Sequence, residues 1–150
     1  MIDTIDIRPA TEAEVAWCAD LMAGNDPWLR YRCSVEWSRN LLKWPGSSLF
    51  VAAAEDPIGF VLLHQKGFLG SAYIAAVAVE KEFRCQDVGR RLLEFAEKTF
   101  SASRYSYLCV SSFNRGALAL YQRCGYVKVG ELPDFIVDGY SEFLMCKRLR

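Results

Sequence analysis

The chain holds one histidine, His64, and none of its six cysteines falls in a C-x-x-C pair. No zinc site of the usual ligand spacing is therefore expected, and no other metal site is read. No apolar run approaches the roughly 20 residues that cross a bilayer, which argues against a membrane partner. Neither charge is in excess: Lys plus Arg and Asp plus Glu stand at 18 each. A duplex-binding protein usually shows a basic surplus because phosphate contacts dominate its affinity, so nucleic acid is not an expected partner. The opening stretch MIDTIDIRPA carries acids where a signal peptide would carry a basic region ahead of an apolar one. The expected compartment is cytoplasmic, and the cysteines read as free thiols, several of them small core residues. Internal repeats, low-complexity tracts and Pro/Gly-rich linkers are missing too, so residues 1–150 read as a single domain.

What is present is apolar residue in quantity. At 52% hydrophobic, the 150 residues are not an intrinsically disordered chain and suffice for a core without staples. Thr4–Arg8 alternates as a strand. Thr11, with Glu14 three residues on, forms a capping box for a helix that buries Val15, Cys18, Ala19 and Met22 and breaks at Gly24-Asn25-Asp26-Pro27. A second helix is predicted over Trp28–Lys43, with Trp37, Leu41 and Trp44 on one stripe. Ser48–Ala54 and Ile58–Gln65 read as a hairpin, and Ser71–Val79 as a long strand. The next helix, about Asp87–Phe100, buries Val88, Leu92, Phe95, Ala96 and Phe100, and its solvent side carries a Glu94–Lys98 pair. Tyr105–Val110 is a strand, Asn114 caps a short helix ending at Cys124 with Gly125 beyond it, and Tyr126–Leu132 and Gly139–Lys147 complete a strand pair. The order β-α-α-β-β-β-α-β-α-β-β predicts an α/β fold, a mixed sheet covered by helices.

The chemistry is expected where Ala76–Val79 runs through a short charged turn into a helix opened by Arg84-Cys85-Gln86-Asp87-Val88-Gly89. The first turn of a helix has unpaired N–H groups and the positive end of the macrodipole, an arrangement that holds phosphate or pyrophosphate. Gly89 lets backbone approach a ligand closely, and Arg84, Arg90 and Arg91 add positive charge. The lysine of a phosphate-loop NTPase and the third glycine of a dinucleotide fold are both missing, which disfavours a nucleotide-binding protein.

Arg84-x-x-Asp87-x-Gly89, continued by Arg90-Arg91-Leu92-Leu93, resembles the acetyl-CoA pyrophosphate loop of the GNAT superfamily of N-acetyltransferases. Asn114-Arg-Gly-Ala-Leu-Ala-Leu-Tyr121-Gln-Arg-Cys-Gly125-Tyr126 is similar to that family's second signature. The resemblance implies a mixed sheet of about seven strands flanked by four helices, with two parallel central strands, Ser71–Val79 and Tyr105–Val110, splayed around the cofactor. It implies transfer of an acetyl group from acetyl-CoA, as co-substrate, directly to a primary amine of a small molecule, peptide or protein. The cofactor would lie along Val77, Ala78 and Val79, with its pyrophosphate on Arg84, Cys85, Gln86, Asp87, Val88, Gly89 and Arg90, and Asn114 and Tyr121 on its arm. Tyr121 would be the general acid for the thiolate, as a phenol neutral at pH 7 can be; packing in the core is the blander reading of the same residue.

Asp87 stands where the family usually has glycine. Its carboxylate is expected to turn onto an N–H of its own helix, away from the ligand. Cys109 stands where related N-terminal acetyltransferases carry a glutamate, so the base is open among Glu131, Asp134 and Glu142. The series Asp134, Asp138 and Glu142 reads first as a solvated face. Trp28, Trp37 and Trp44 read as packing residues ahead of a substrate wall. A non-catalytic acyl-CoA-binding sensor or interaction module on the same scaffold is the alternative from another class. The strand near the C-terminus leaves a homodimer open.

Overall fold

The computed structural model describes residues 4–100 and 102–150. Among them, seven strands make one mixed sheet in the order β1-β2-β3-β4-β5-β7-β6. The strands are β1 (Asp6–Pro9), β2 (Ser47–Ala53), β3 (Pro57–Phe68), β4 (Ser71–Val79), β5 (Tyr105–Ser111), β6 (Val127–Pro133) and β7 (Ser141–Arg148). The helices are α1 (Glu12–Ala23), α2 (Val35–Leu42), α3 (Val88–Thr99) and α4 (Arg115–Arg123). All neighbours in the sheet are antiparallel except β4 and β5.

The sheet separates two apolar layers. On one side, Val15, Cys18, Ala19 and Met22 of α1 pack with Trp28 and Leu42 against Val51, Phe60, Leu62 and Ala76. On the other, Val88, Leu92, Leu93 and Ala96 of α3 meet Val61, Leu63, Ile74 and Leu108. Burying one such side chain contributes about 1.5–3 kcal/mol, so α3 is held chiefly by this face. The capping box on α1 is present in both directions: Thr11 accepts from the Glu14 N–H, and Glu14 accepts from the Thr11 N–H at 2.9 Å. Gly125 ends α4 at φ +96°, a conformation that favours glycine.

Two elements depart from the sequence expectation. The helix predicted over Trp28–Lys43 covers only Val35–Leu42. Arg32 takes a left-handed φ of +62°, which interrupts a helical path, and Ser34 caps a fresh start by accepting from the Trp37 N–H at 3.0 Å. The helix turns Ser38 and Leu42 inward, and Trp37 and Trp44 are 47% and 59% exposed, so the tryptophan stripe is not a packing stripe; Trp28 alone of the three is core. On α3, Glu94 pairs with Arg90 instead of Lys98. Glu97 accepts from Lys147 of β7 at 2.8 Å.

The site is positioned by what happens between β4 and β5. Their pairing runs only from Ala72–Ser106 to Ile74–Leu108 and then stops, although both strands continue. A register shift opposite Leu62 and Leu63 leaves Ala75 unpaired as a bulge. Ile74 lies in the α3 layer, Ala75 and Ala76 both belong to the α1 layer, and Val77 returns to the first. Two successive residues on one face bend a strand and re-aim it, which is what carries β4 away from β5.

Candidate active site

A cleft of about 1460 Å³ opens at this divergence. Its floor is the free stretch Ala75–Val79 of β4 and Leu108–Ser111 of β5. One end is closed by the loop before α3 and by α4, the other by the segment between α1 and α2 and by the β6–β7 connection.

The loop is built by backbone geometry. After a single turn at Lys81–Phe83, Cys85 and Asp87 adopt left-handed φ values of +61° and +72°. The N–H groups of Cys85 through Arg90 find no backbone acceptor among the described residues; the first amide of the new helix to do so is that of Arg91, on the Asp87 carbonyl at 3.1 Å. A string of free donors at the start of a 12-residue helix can hold a multiply charged anion.

Arg84 binds the loop to both sides of the cleft. Its Nε donates to the Val79 carbonyl at 3.0 Å and its Nη2 to Asn25 Oδ1 at 3.0 Å. The Asp87 carboxylate does not cap its own helix. It is exposed and bonded to the Arg90 guanidinium, Nε to Oδ1 at 2.8 Å, and that guanidinium holds the carboxyl below the usual carboxylate range. Asp87 lines the cleft, and Arg90 offsets its charge. Gln86 folds back onto the Glu82 carbonyl, and the Val88 side chain is core; neither side chain lines the cleft, which leaves their amides as what they present. Arg91 reaches back to the Ile5 carbonyl and is also outside the cleft. The other loop and strand residues singled out in the sequence—Val77, Ala78, Val79, Cys85, Gly89 and Arg90—line it. Gly89 has a packing role beside any ligand role: a Cβ there would stand 2.8 Å from Leu120 Cδ2 of α4.

Asn114 and Tyr121 face the cleft from α4. Asn114 Oδ1 accepts from the Ala117 N–H at 3.4 Å, so it caps the helix from within the cleft wall. Tyr121 is 7% exposed and its ring packs against Tyr126, yet its hydroxyl has no protein hydrogen bond among the described residues. Burial pushes the phenol above its ordinary value.

The far end is made of side chains that the sequence scatters. Trp28, Tyr31, Cys33, Trp37 and Leu41 come from one side, Leu132, Phe135 and Ile136 from the other. Glu142 is buried here, which corrects its reading as part of a solvated face; Asp134 and Asp138 are exposed. Asp134 is spent on the loop itself, accepting from the Gly139 N–H at 2.6 Å. Glu131, also exposed, is held by Lys128 and Ser141. Glu142, one of the three candidate bases, meets Tyr31 and Ser111 here, which the sequence does not single out because the three lie on separate elements and share no motif. Tyr73 of β4 lies against the Cys109 thiol, and burial raises both. No group of three or more His, Cys, Asp or Glu among the described residues could hold a metal ion, and no described helix is long and apolar enough to cross a membrane.

A layered α/β sheet opened between two parallel strands, with free helix-start amides at one end, is the architecture of an acyl-CoA-dependent acyltransferase. Residues 15–126 match the acetyltransferase (GNAT) family, and the chain belongs to it. An N-alpha-acetyltransferase of Saccharolobus solfataricus is 27% identical over 122 residues, 72% of this chain and 73% of that protein. An uncharacterized protein of Mycobacterium leprae is 28% identical over 151 residues, 95% of this chain; the chain spans 40% of that relative's length. Among solved structures, Arabidopsis thaliana NAA60 in complex with a bisubstrate analogue superposes with a TM-score of 0.81 over 98% of this chain and 100% of that one, at 20% identity, a likeness of fold.

Proposed function

We propose that the chain transfers the acetyl group of acetyl-CoA to a primary amine by direct attack within a ternary complex. The observation that carries this reading is the continuity of the cleft: free amides at Cys85–Arg90, an unpaired β4 edge at Ala75–Val79, and the Tyr121 hydroxyl follow one another along it. Acetyl-CoA supplies an activated thioester. The loop amides would bind its diphosphate, and the free N–H groups of β4 would pair with its arm and polarise the carbonyl. Alanines at 75, 76 and 78 leave that edge clear. Holding two reactants in line can supply roughly 7–11 kcal/mol of the barrier, so orientation by this seam is the largest contribution asked of the protein. Tyr121, neutral at pH 7 and without a competing partner, would give the departing thiolate its proton.

The acceptor end supports an amine carried on an apolar body. Its walls are aromatic and aliphatic, and its carboxylates are few: Asp26 is already 3.7 Å from Arg30. A polycation would call for several free acids. Calorimetry with acetyl-CoA and a thiol-release assay over a panel of amines and peptides test the reading. Micromolar cofactor binding with acceptor-dependent thiol release is expected. Cofactor binding without turnover on any acceptor would favour the sensor alternative, and no binding at millimolar acetyl-CoA would end both. A cytoplasmic location and a homodimer through the β6 edge belong to the same proposal, checked by fractionation and by light scattering.

A further inference from the structure

Glu142 is a carboxylate taken out of water and given no cation. It is 7% exposed and sits opposite Ser111 where β7 pairs with the end of β5. Oε1 accepts from the Tyr31 hydroxyl at 2.8 Å and Oε2 from the Ser111 hydroxyl at 2.5 Å, and those two hydroxyls touch each other. The ion pairs among the described residues all use other carboxylates. Two hydroxyls orient a charge but do not neutralise it, and a buried carboxylate ordinarily has a cation beside it. The groups facing it are Tyr31 from the segment before α2, Tyr73 from β4, and Cys109 and Ser111 from β5. All four are uncharged at neutral pH, and burial pushes the three titratable ones upward. Tyr73 lies within electrostatic reach of both Glu142 and Tyr121, so the carboxylate and the phenol flank one stretch of the cleft.

We infer that the missing cation is the acceptor's own ammonium group, and that Glu142 docks it and takes its proton. The inference rests on the acetyltransferase reading above. The ammonium gives one proton to the Glu142 carboxylate, and the freed lone pair forms the C–N bond to the thioester carbonyl. The C–S bond breaks, and the thiolate takes the Tyr121 proton. A second nitrogen proton returns to the Tyr121 oxygen, and Glu142 releases its own to solvent, one proton per amide formed. Tyr31 and Ser111 are positioning residues that hold the carboxylate aimed.

The test uses phenethylamine, an ammonium on an apolar body. Its binding to the coenzyme A-saturated protein is followed by calorimetry, and its acetylation by thiol release. Glu142→Gln should weaken phenethylamine binding about tenfold or more and lower kcat/KM about 100-fold near neutral pH, the size of a lost general base. Acetyl-CoA affinity should stay within about twofold, and part of the lost rate should return as pH rises toward the pKa of the amine. Tyr31→Phe and Ser111→Ala each remove one hydroxyl that aims the carboxylate, so each should raise the phenethylamine KM several-fold while kcat falls less and acetyl-CoA affinity is unchanged. A Glu142→Gln protein that binds and acetylates phenethylamine like the unsubstituted chain would overturn the inference. So would an unchanged phenethylamine KM in both hydroxyl variants, or an unsubstituted protein that binds acetyl-CoA but not phenethylamine. If the unsubstituted protein bound no acetyl-CoA, the acetyltransferase reading would fall first, and this inference with it.

Discussion

At the α3 end of the cleft the groups that face the space are backbone amides; at the Glu142 end they are side chains from four separate segments. The first end needs only a loop of the right dihedrals and a helix behind it, and it can hold a multiply charged anion whatever surrounds it. The second end is assembled by tertiary contact, from Tyr31, Trp37, Phe135 and Glu142, and each of those side chains can change without disturbing the sheet. One half of the molecule is therefore generic and the other particular, and the two meet at Tyr121.

The largest effect is expected at that meeting point. Tyr121→Phe keeps the ring and its contact with Tyr126 and removes only the proton, so kcat should fall on the order of 10² while acetyl-CoA affinity and melting temperature stay close to the parent. Because burial raises the phenol, no alkaline fall in kcat below pH ~10 should come from this group. A variant with undiminished kcat would leave Tyr121 as packing. The next effect probes whether the two halves are separable. Arg84 joins them, holding the Val79 carbonyl on one side and Asn25 on the other. Arg84→Ala should weaken acetyl-CoA binding about tenfold, the worth of one good hydrogen bond to a charged group. Asn25→Ala, which cuts only the second link, should raise the acceptor KM with little change in cofactor affinity. Equal losses in both variants and both constants would mean that the halves are one rigid unit.

The same contrast explains what could be read in advance. The loop, its helix and the order of elements along the chain were legible because each is a local signal: Arg84 to Gly89 is a contiguous run, and the strands and α3 announce themselves by period. Asp87 was misread because a propensity to cap says nothing of a neighbour three residues on; Arg90 wins the carboxylate once Asp87 turns left-handed. Trp37 and Trp44 were misread because periodicity cannot show that Arg32 interrupts the helix and shifts the inward face to Ser38 and Leu42. Of the Tyr31–Ser111–Glu142 cluster only Glu142 was legible, as one of three candidate bases: its members are separated by 80 and 31 residues, and no motif joins them.

A smaller effect sharpens the contrast within the acceptor wall. Trp37 is exposed and faces the cleft, whereas Trp28 is core. Trp37→Ala should raise the KM of an apolar amine about fivefold, from roughly 1 kcal/mol of lost contact, and leave the melting temperature unchanged. Trp28→Ala should instead cost about 3–5 kcal/mol of stability. Thermal melts beside acceptor KM values separate them, and a destabilised Trp37→Ala protein would return that residue to the packing role its spacing first suggested.

The smallest effect concerns what the acceptor half hangs from. Arg8 of β1 grips Glu14 of α1 through two bonds, at 2.7 and 2.8 Å, and so ties the helix that leads into the acceptor wall to the sheet edge. The hydrogen bonds from Arg8 hold the Glu14 carboxyl down to about 2, against an ordinary value of 4.5. A carboxyl depressed on folding contributes stability that is fully present above its unfolded value and is lost as pH falls through its folded one. The loss should therefore run between pH 4.5 and about 2. Glu14→Gln should lower the melting temperature slightly near pH 6 and flatten that acid limb. Hydrogen exchange near pH 4 should show the variant's α1 and α2 opening before α3, because the amide-built half does not depend on this pair. Uniform opening across all three helices would show that the generic half leans on the particular one after all.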